Sequence, residues 1–301
     1  MPTAIDLFCG AGGATAGLLA AGYDVRLAVD HDQTALLTHV LAHPNVTPLE
    51  ADLSTMSGAI LSKVDLWWAS PPCQPFSTAG KRKQGDDARD GWPWVLRMLR
   101  QASLEGCRPR SLVCENAASM TDKRGMPYLR QLVADLEGIF GLGRVSWLVL
   151  DAADFGLPQH RRRLILRCGD AAFWPWPSKT HGPSTGTPWR TMAKALPYLA
   201  TEQLRVMGAG SNPHFPGDKR TERDITDEPS ESSGFDFNGG PDRASDAAFL
   251  ATGRRRLTWE ECAILQGFPP GYPFQGNKTQ KYRQVGNACP SILAQAALSK
   301  E

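Results

Sequence analysis

TAIDLFCGAGGATAGLLAAG, residues 3–22, carries the first strand-to-helix junction of the chain. TAIDLF has the length and apolar character of a strand. CGAGG is a glycine-rich turn, and ATAGLLAAG reads as a helix closed by a glycine. The same alternation continues outward. VRLAVD (25–30) is a second strand and DQTALLTHVLAH (32–43) a second helix. VDLWWA (64–69), SLVCE (111–115), VSWLVL (145–150) and LILRC (164–168) are further apolar runs of strand length. Between them lie the helical patterns WPWVLRMLRQASLEG (92–106) and MPYLRQLVADLEGIF (126–140). Strands alternating with helices predict a parallel sheet covered on both faces, over roughly residues 1–170.

The character changes at about residue 174. Residues 174–250 are rich in Pro, Gly, Ser, Thr and Asp and have weak periodicity, as expected of loops and short strands in an insertion or second domain. A helical pattern returns in TGRRRLTWEECAILQGF (252–268), with Pro269-Pro270 expected to end it. KYRQVGNACPSILAQAALS (281–299) reads as a loop followed by a helix begun at Pro290.

Composition narrows the class. The 301 residues are 42% hydrophobic and 21% charged, ordinary for a soluble globular chain, and 29 glycines with 23 prolines predict many loops. No apolar run reaches the ~18 residues of a membrane span, and MPTAIDLFCG lacks a signal-type start. A cytoplasmic protein is expected. The net charge of +2 does not announce a nucleic-acid binder, but basic residues cluster at 81–83, 123–124, 161–163 and 254–256. Such clusters form phosphate-contacting patches or simply solvated surface. Seven cysteines without a CxxC pair argue against a disulfide framework and against zinc, and no metal is expected.

Several short segments carry chemistry. In DLFCGAGG (6–13) glycines let a ligand approach the carboxyl end of the first strand, although the full GxGxxG fingerprint is absent. Asp30, after the second strand, could bind ribose hydroxyls, and Asp52, in EADL, an adenine amino group. In SPPCQPFSTAG (70–80) prolines restrict Cys73, and a thiol so held becomes a nucleophile as its thiolate. Glu115 and Asn116 end another strand in CENAAS. In GLPQHRRRLIL the alternation of Gln159, Arg161 and Arg163 puts the two arginines on one strand face, where they need a polar ligand or ion pair. QVGNACP is a second glycine turn before a helix.

In this order, DLFCGAGG, PPCQPFS, CENAAS, PQHRRR, RRRLTWEECAILQGFP and QVGNACP resemble the DNA cytosine carbon-5 methyltransferase family, over nearly the whole chain except roughly 175–250. The resemblance implies an α/β class I methyltransferase fold, a Rossmann-like mostly parallel sheet with helices on both faces, plus a small loop-rich target-recognition domain. The catalytic domain would comprise 1–177 and 278–301, and the recognition domain 178–277. It implies transfer of a methyl group from S-adenosyl-L-methionine to carbon 5 of a cytosine flipped out of double-stranded DNA, leaving S-adenosyl-L-homocysteine.

By the same resemblance Cys73 attacks carbon 6. Glu115 engages ring nitrogen 3 and the exocyclic amine. Arg163, with Arg161 beside it, holds the base's carbonyl oxygen. Phe8, Gly10 and Gly12 line the cofactor pocket with Pro72. Asp30, followed by His31, binds the ribose, Asp52 and Leu53 the adenine, and Asn287 meets the cofactor from the last motif. Gln74 and Ser77 lie on a loop that closes over DNA, and Lys81, Arg82 and Lys83 meet phosphates. The chain departs from the family's usual ENV and GNAV, reading ENA and GNAC, and has Asp30-His31 where Glu and a large apolar residue are usual. The short recognition region predicts few readout contacts and a site of roughly two to four base pairs. A monomer in a bacterial or phage-infected cell, with or without a restriction partner, is the implied setting. Family members that act on tRNA leave an RNA substrate as the alternative.

Overall fold

The computed structural model describes residues 1–61, 63–72, 90–198, 205–207, 230–231 and 254–300. Its centre is a seven-stranded sheet. The strands are β1 (Thr3–Leu7), β2 (Asp24–Asp30), β3 (Thr47–Glu50), β4 (Leu66–Ala69), β5 (Ser111–Ala117), β6 (Val145–Asp151) and β8 (Arg162–Gly169). They lie in the order β3-β2-β1-β4-β5-β8-β6. The pairs from β3 to β5 are parallel, and β8 runs antiparallel to both β5 and β6. The expected mostly parallel sheet is present.

The reversal of β8 has a local cause. β6 is followed only by a 3₁₀ turn (Ala152–Phe155) and the two-residue β7 (Gln159–His160) before β8 begins. A connection that short cannot cross over the sheet to a parallel neighbour, so the chain folds back on itself.

Strand alternation divides the core in two. Ile5, Leu7, Trp67, Leu112 and Cys114 face one layer, which α3 (Trp92–Leu104) and α4 (Met126–Phe140) close with Val95, Leu99, Leu129 and Leu136. Ala4, Leu66, Trp68 and Val113 face the other, closed by α1 (Gly13–Ala20) and the last helix. Trp67 and Trp68 are both fully buried, one in each layer, as expected of a parallel strand covered on both faces. α2 (Gln33–Ala42) begins at Asp32, whose side chain accepts the Thr34 and Ala35 N–H groups.

The C-terminal third differs from expectation at two points. α6 (Trp259–Leu265), which follows the short α5 (Met192–Ala195), ends before Pro269. Gly267, at φ 92°, closes it, with Phe268 N donating to Ala263 O and Gly267 N to Ile264 O, a Schellman cap. KYRQVGN is not a loop but the body of α7 (Lys278–Asn287). Asn277 and Gln280 cap each other's backbone N–H and so start a helix of low hydrophobicity. α8 (Ser291–Ala297) follows Pro290 as expected. A third core cluster spans the expected boundary at residue 278, joining Leu257, Cys262, Phe268 and Phe274 to Val285, Ala288 and, from the first turn, Ala11. The short strands β9 (Arg205–Met207) and β11 (Arg254–Arg256) pair in parallel, and β10 (Ser230–Glu231) pairs with β7.

Candidate active site

Because β1 to β5 are parallel, their carboxyl ends share one edge, the usual ligand rim of such a sheet. The turn after β1 is its most constrained part. Phe8 has φ 61°, the one positive φ outside glycine among the described residues, and Gly10 and Gly12 follow at 51° and 91°. Strain of this kind persists where the surrounding structure enforces it. Phe8 lies against Trp94, with ring centroids 6.3 Å apart.

The two glycines differ. A side chain at Gly10 would enter open space, whereas one at Gly12 would meet the His43 ring at 2.6 Å. Gly10 therefore borders open space, and Gly12 allows close packing. Asp30, at the end of β2, is buried; its carboxylate accepts Gly10 N at 2.8 Å and Asp32 N at 2.9 Å. A carboxylate has about four lone-pair sites, so capacity remains for ribose hydroxyls.

The neighbouring predictions separate. His31 is exposed, with Nδ1 3.5 Å from Asp30. Asp52 is exposed, and hydrogen bonds from the Ser54 side chain and then from its backbone N–H hold the carboxyl below the usual range. The Leu53 side chain is buried in the core and its carbonyl accepts from Arg97. Asn287 is exposed at the end of α7. The first and last motifs meet: a side chain at Gly13 would lie 2.2 Å from the Cys289 carbonyl oxygen.

Further along the rim stands Glu115, buried at the end of β5. Reversal of β8 brings its first residues to the same edge, with Arg163 opposite Ala117. Arg163 Nε lies 2.8 Å from Glu115 Oε1, and both side chains are largely buried. Asn116 turns the other way. Its amide donates to Pro71 O at 3.0 Å, and its oxygen accepts Ala117 N. Gly91 N donates to Pro72 O. The stem that leads into Cys73 is thus held from β5 and from the start of α3. Asp90 accepts from Trp92 N and from the Tyr128 hydroxyl. Cys73, Gln74, Ser77, Lys81, Arg82 and Lys83 lie outside the described residues.

Arg161 and Arg163 both turn inward, with the exposed Arg162 between them, as the alternation predicts. Arg161 sits between β7 and β8 rather than in a strand, where its backbone N–H is taken by Asp151 and its carbonyl by Ala152 N. The two guanidinium groups take different partners. Arg161, fully buried, donates from Nη2 to the carbonyls of Gly286 and Ala288, both at 2.9 Å. Burial, with Arg163 nearby, pulls its pKa down to about 9, and its Nε and Nη1 have no hydrogen-bond partner among the described residues. Gln159 is buried beside it in sequence. Sequence reasoning named Asn116 without a task, and it missed Asp90 and Tyr128, whose pairing depends on two distant segments.

Among the described residues no cluster of His, Cys, Asp or Glu is suited to a metal, and no helix is long and apolar enough to cross a membrane. Burial pushes the thiols of Cys9, Cys114, Cys168, Cys262 and Cys289 up, which makes each a poor nucleophile.

Comparison with known proteins identifies the family. The family model described as C-5 cytosine-specific DNA methylase matches residues 3–173 and 179–300. The chain is 31% identical to the type II methyltransferase M.NaeI of Lentzea aerocolonigenes, over 97% of this chain and 72% of that protein. It is 28% identical to M.NgoMIV of Neisseria gonorrhoeae, over 98% and 95%. Its fold is similar to that of a prophage-encoded chain from E. coli (TM-score 0.68, 19% identity, 99% and 97% covered) and of the S. pombe Dnmt2 methyltransferase (0.63, 17%, 98% and 97%). Matched to that family over nearly its whole length, the chain belongs to the C-5 cytosine-specific DNA methylases and is a DNA cytosine-5 methyltransferase.

Proposed function

We propose that this enzyme takes the methyl group from S-adenosyl-L-methionine and places it on carbon 5 of a cytosine flipped out of a short duplex DNA site, through a covalent bond from Cys73 to carbon 6. The observation that carries the reading is the Glu115–Arg163 pair on the same sheet edge as the Gly10–Asp30 contact. One end of that edge suits a base and the other a nucleoside cofactor.

The cofactor, when bound, supplies an electrophilic methyl group. Asp30 and the backbone around Phe8 and Gly10 hold its nucleoside, with Asp52, His31, the Leu53 backbone and Asn287 around its margins. Pro71 and Pro72, fixed by Asn116 and Gly91, aim Cys73. The thiolate of Cys73 adds to carbon 6, and the ring electrons move to carbon 5, which becomes the nucleophile. Glu115 bonds ring nitrogen 3 and the amine, offsetting the charge that develops. Arg163 holds Glu115 through Nε and has further N–H groups for the base's carbonyl oxygen. After methyl transfer a base removes the carbon-5 proton, the electrons return to the ring, and the thiolate leaves. Flipping is required because carbon 6 is inaccessible within the stack, and unstacking costs a few kcal/mol. Gln74, Ser77, Lys81, Arg82 and Lys83 are the proposed DNA contacts, with 178–277 as the recognition unit. Arg161 acts one step back, tying the Gly286–Ala288 segment to the base end of the rim.

The test is transfer of labelled methyl groups to duplex DNA and, separately, to tRNA. The Cys73→Ala variant is expected to bind cofactor and transfer nothing; full activity in it, or labelling of tRNA alone, overturns the proposal. Bisulfite sequencing of the product reads the site, expected to span about two to four base pairs.

A further inference from the structure

Behind the glycine turn lies a cluster that the proposed chemistry does not use. His43, at the C-terminal end of α2, has Nε2 3.1 Å from Gly12 O. Tyr272, in the segment between α6 and α7, donates its hydroxyl to Ala11 O at 2.6 Å, and the same hydroxyl lies 3.3 Å from His43 Nε2. Two consecutive carbonyls of the turn are therefore held by two side chains that also touch each other.

The clasp is rigid. Tyr272 packs against Phe268 and Phe274, with centroids 4.6 and 5.0 Å away, and His43 against His39 at 4.9 Å. The room that Gly12 leaves by lacking a side chain is filled by the His43 ring. Two residues earlier, Gly10 faces open space and bonds Asp30. One part of the turn is thus gripped from behind while the other is offered to a ligand.

We infer that Tyr272 and His43 are positioning residues for the cofactor, acting through the Ala11 and Gly12 carbonyls to hold the turn in its strained, receptive shape. The inference rests on the S-adenosyl-L-methionine reading of that turn. Neither side chain reaches a reacting atom, so their loss is felt in cofactor affinity and not in the rate of the chemical step.

The experiment compares Tyr272→Phe, His43→Leu and a control, Tyr282→Phe, in the full-length chain. Tyr282, packed on the same core cluster, also donates its hydroxyl to a backbone carbonyl, but to that of Leu257 at 2.7 Å and not to a carbonyl of the turn. S-Adenosyl-L-homocysteine is titrated by calorimetry, and KM and kcat for S-adenosyl-L-methionine are measured alongside thermal midpoints. Tyr272→Phe and His43→Leu are expected to weaken binding and raise KM by about three- to tenfold, the worth of one hydrogen bond, with kcat changed less than about twofold. Tyr282→Phe is expected to lower the midpoint and leave affinity unchanged. Wild-type affinity in both turn variants, or equal weakening in the control, overturns the inference. Failure of the wild-type protein to bind the probe overturns the cofactor reading itself, and this inference with it.

Discussion

Asp6 and His39 show how one buried contact governs pH behaviour. Asp6 is fully buried and accepts the Thr15 hydroxyl at 2.6 Å; His39 Nε2 lies 2.9 Å from the same hydroxyl. Burial raises Asp6 from 3.8 to about 7 and lowers His39 from 6.5 to about 3. Between pH 4 and 6.5 the folded protein therefore keeps a proton on Asp6 that the unfolded chain has lost. It keeps His39 neutral where the unfolded chain is protonated. By linkage, Asp6 makes stability fall as pH rises through this window, and His39 makes it rise. Denaturant unfolding at pH 4.5 and 6.5 separates them. Asp6→Asn is expected to steepen the rise in stability with pH, and His39→Gln to turn it toward a fall. No change of slope in either variant would contradict the assignment.

The arginines follow the same rule of partners. Arg163→Ala leaves Glu115 buried without its cation and is expected to cost about 3 kcal/mol in urea unfolding, as well as activity. Arg161→Ala frees the Gly286 carbonyl and removes one of two donors to Ala288 O, the other being Gln266. It is expected to cost about 2–3 kcal/mol and to weaken S-adenosyl-L-homocysteine binding, with calorimetry as the check.

Among the elements, α1 and α8 are set by small residues. Their contact needs Gly17 against Ala294 and Gly13 against the Cys289 carbonyl. Gly13→Ala puts a methyl group where backbone already stands, and is expected to lower stability by about 1–3 kcal/mol, read from the urea midpoint. Most strands were legible as short apolar runs, α3 and α4 by their clear apolar period, and α1 by its place between a glycine turn and a glycine stop. The direction of β8 was not, since a fully buried run looks the same in a parallel and an antiparallel strand. α7 was hidden for the opposite reason: KTQKYRQVGN has few apolar residues, and its polar face is spent on α2, with Gln280 on Thr34 and Thr38 on Gln284. The end of α6 was misplaced because the prolines drew attention from Gly267. In the site, Glu115, Arg163 and Asp30 were legible by order along the chain. The Arg161 clasp, the Asn116 tie and the Tyr272 contact join segments far apart in sequence, and no local pattern announces them.

At the scale of the molecule, the last residues complete the first layer the chain makes. α8 buries Leu293, Ala294 and Ala297 against α1, and the Ala297 carbonyl accepts from the buried Arg167. A chain ended after Asn287 leaves that face uncovered and Arg167 short of a partner. It is expected to lose its cooperative thermal transition, seen by calorimetry, although every residue of the proposed active site is retained. The catalytic edge and the third core cluster depend on the same tail, so cofactor binding is expected to fail with the transition.

The bond from Gly91 N to Pro72 O has a consequence for chain length. It joins the two ends of residues 73–89 at the sheet edge, so the closure entropy of that segment is already met by the fold. Closure entropy grows only with the logarithm of length, about 0.6 kcal/mol for each doubling. Doubling the length of this segment is therefore expected to cost only about 0.6 kcal/mol. The stretch proposed to carry the nucleophile is expected to tolerate added length with only that small loss of stability, read from the urea midpoint of an insertion variant.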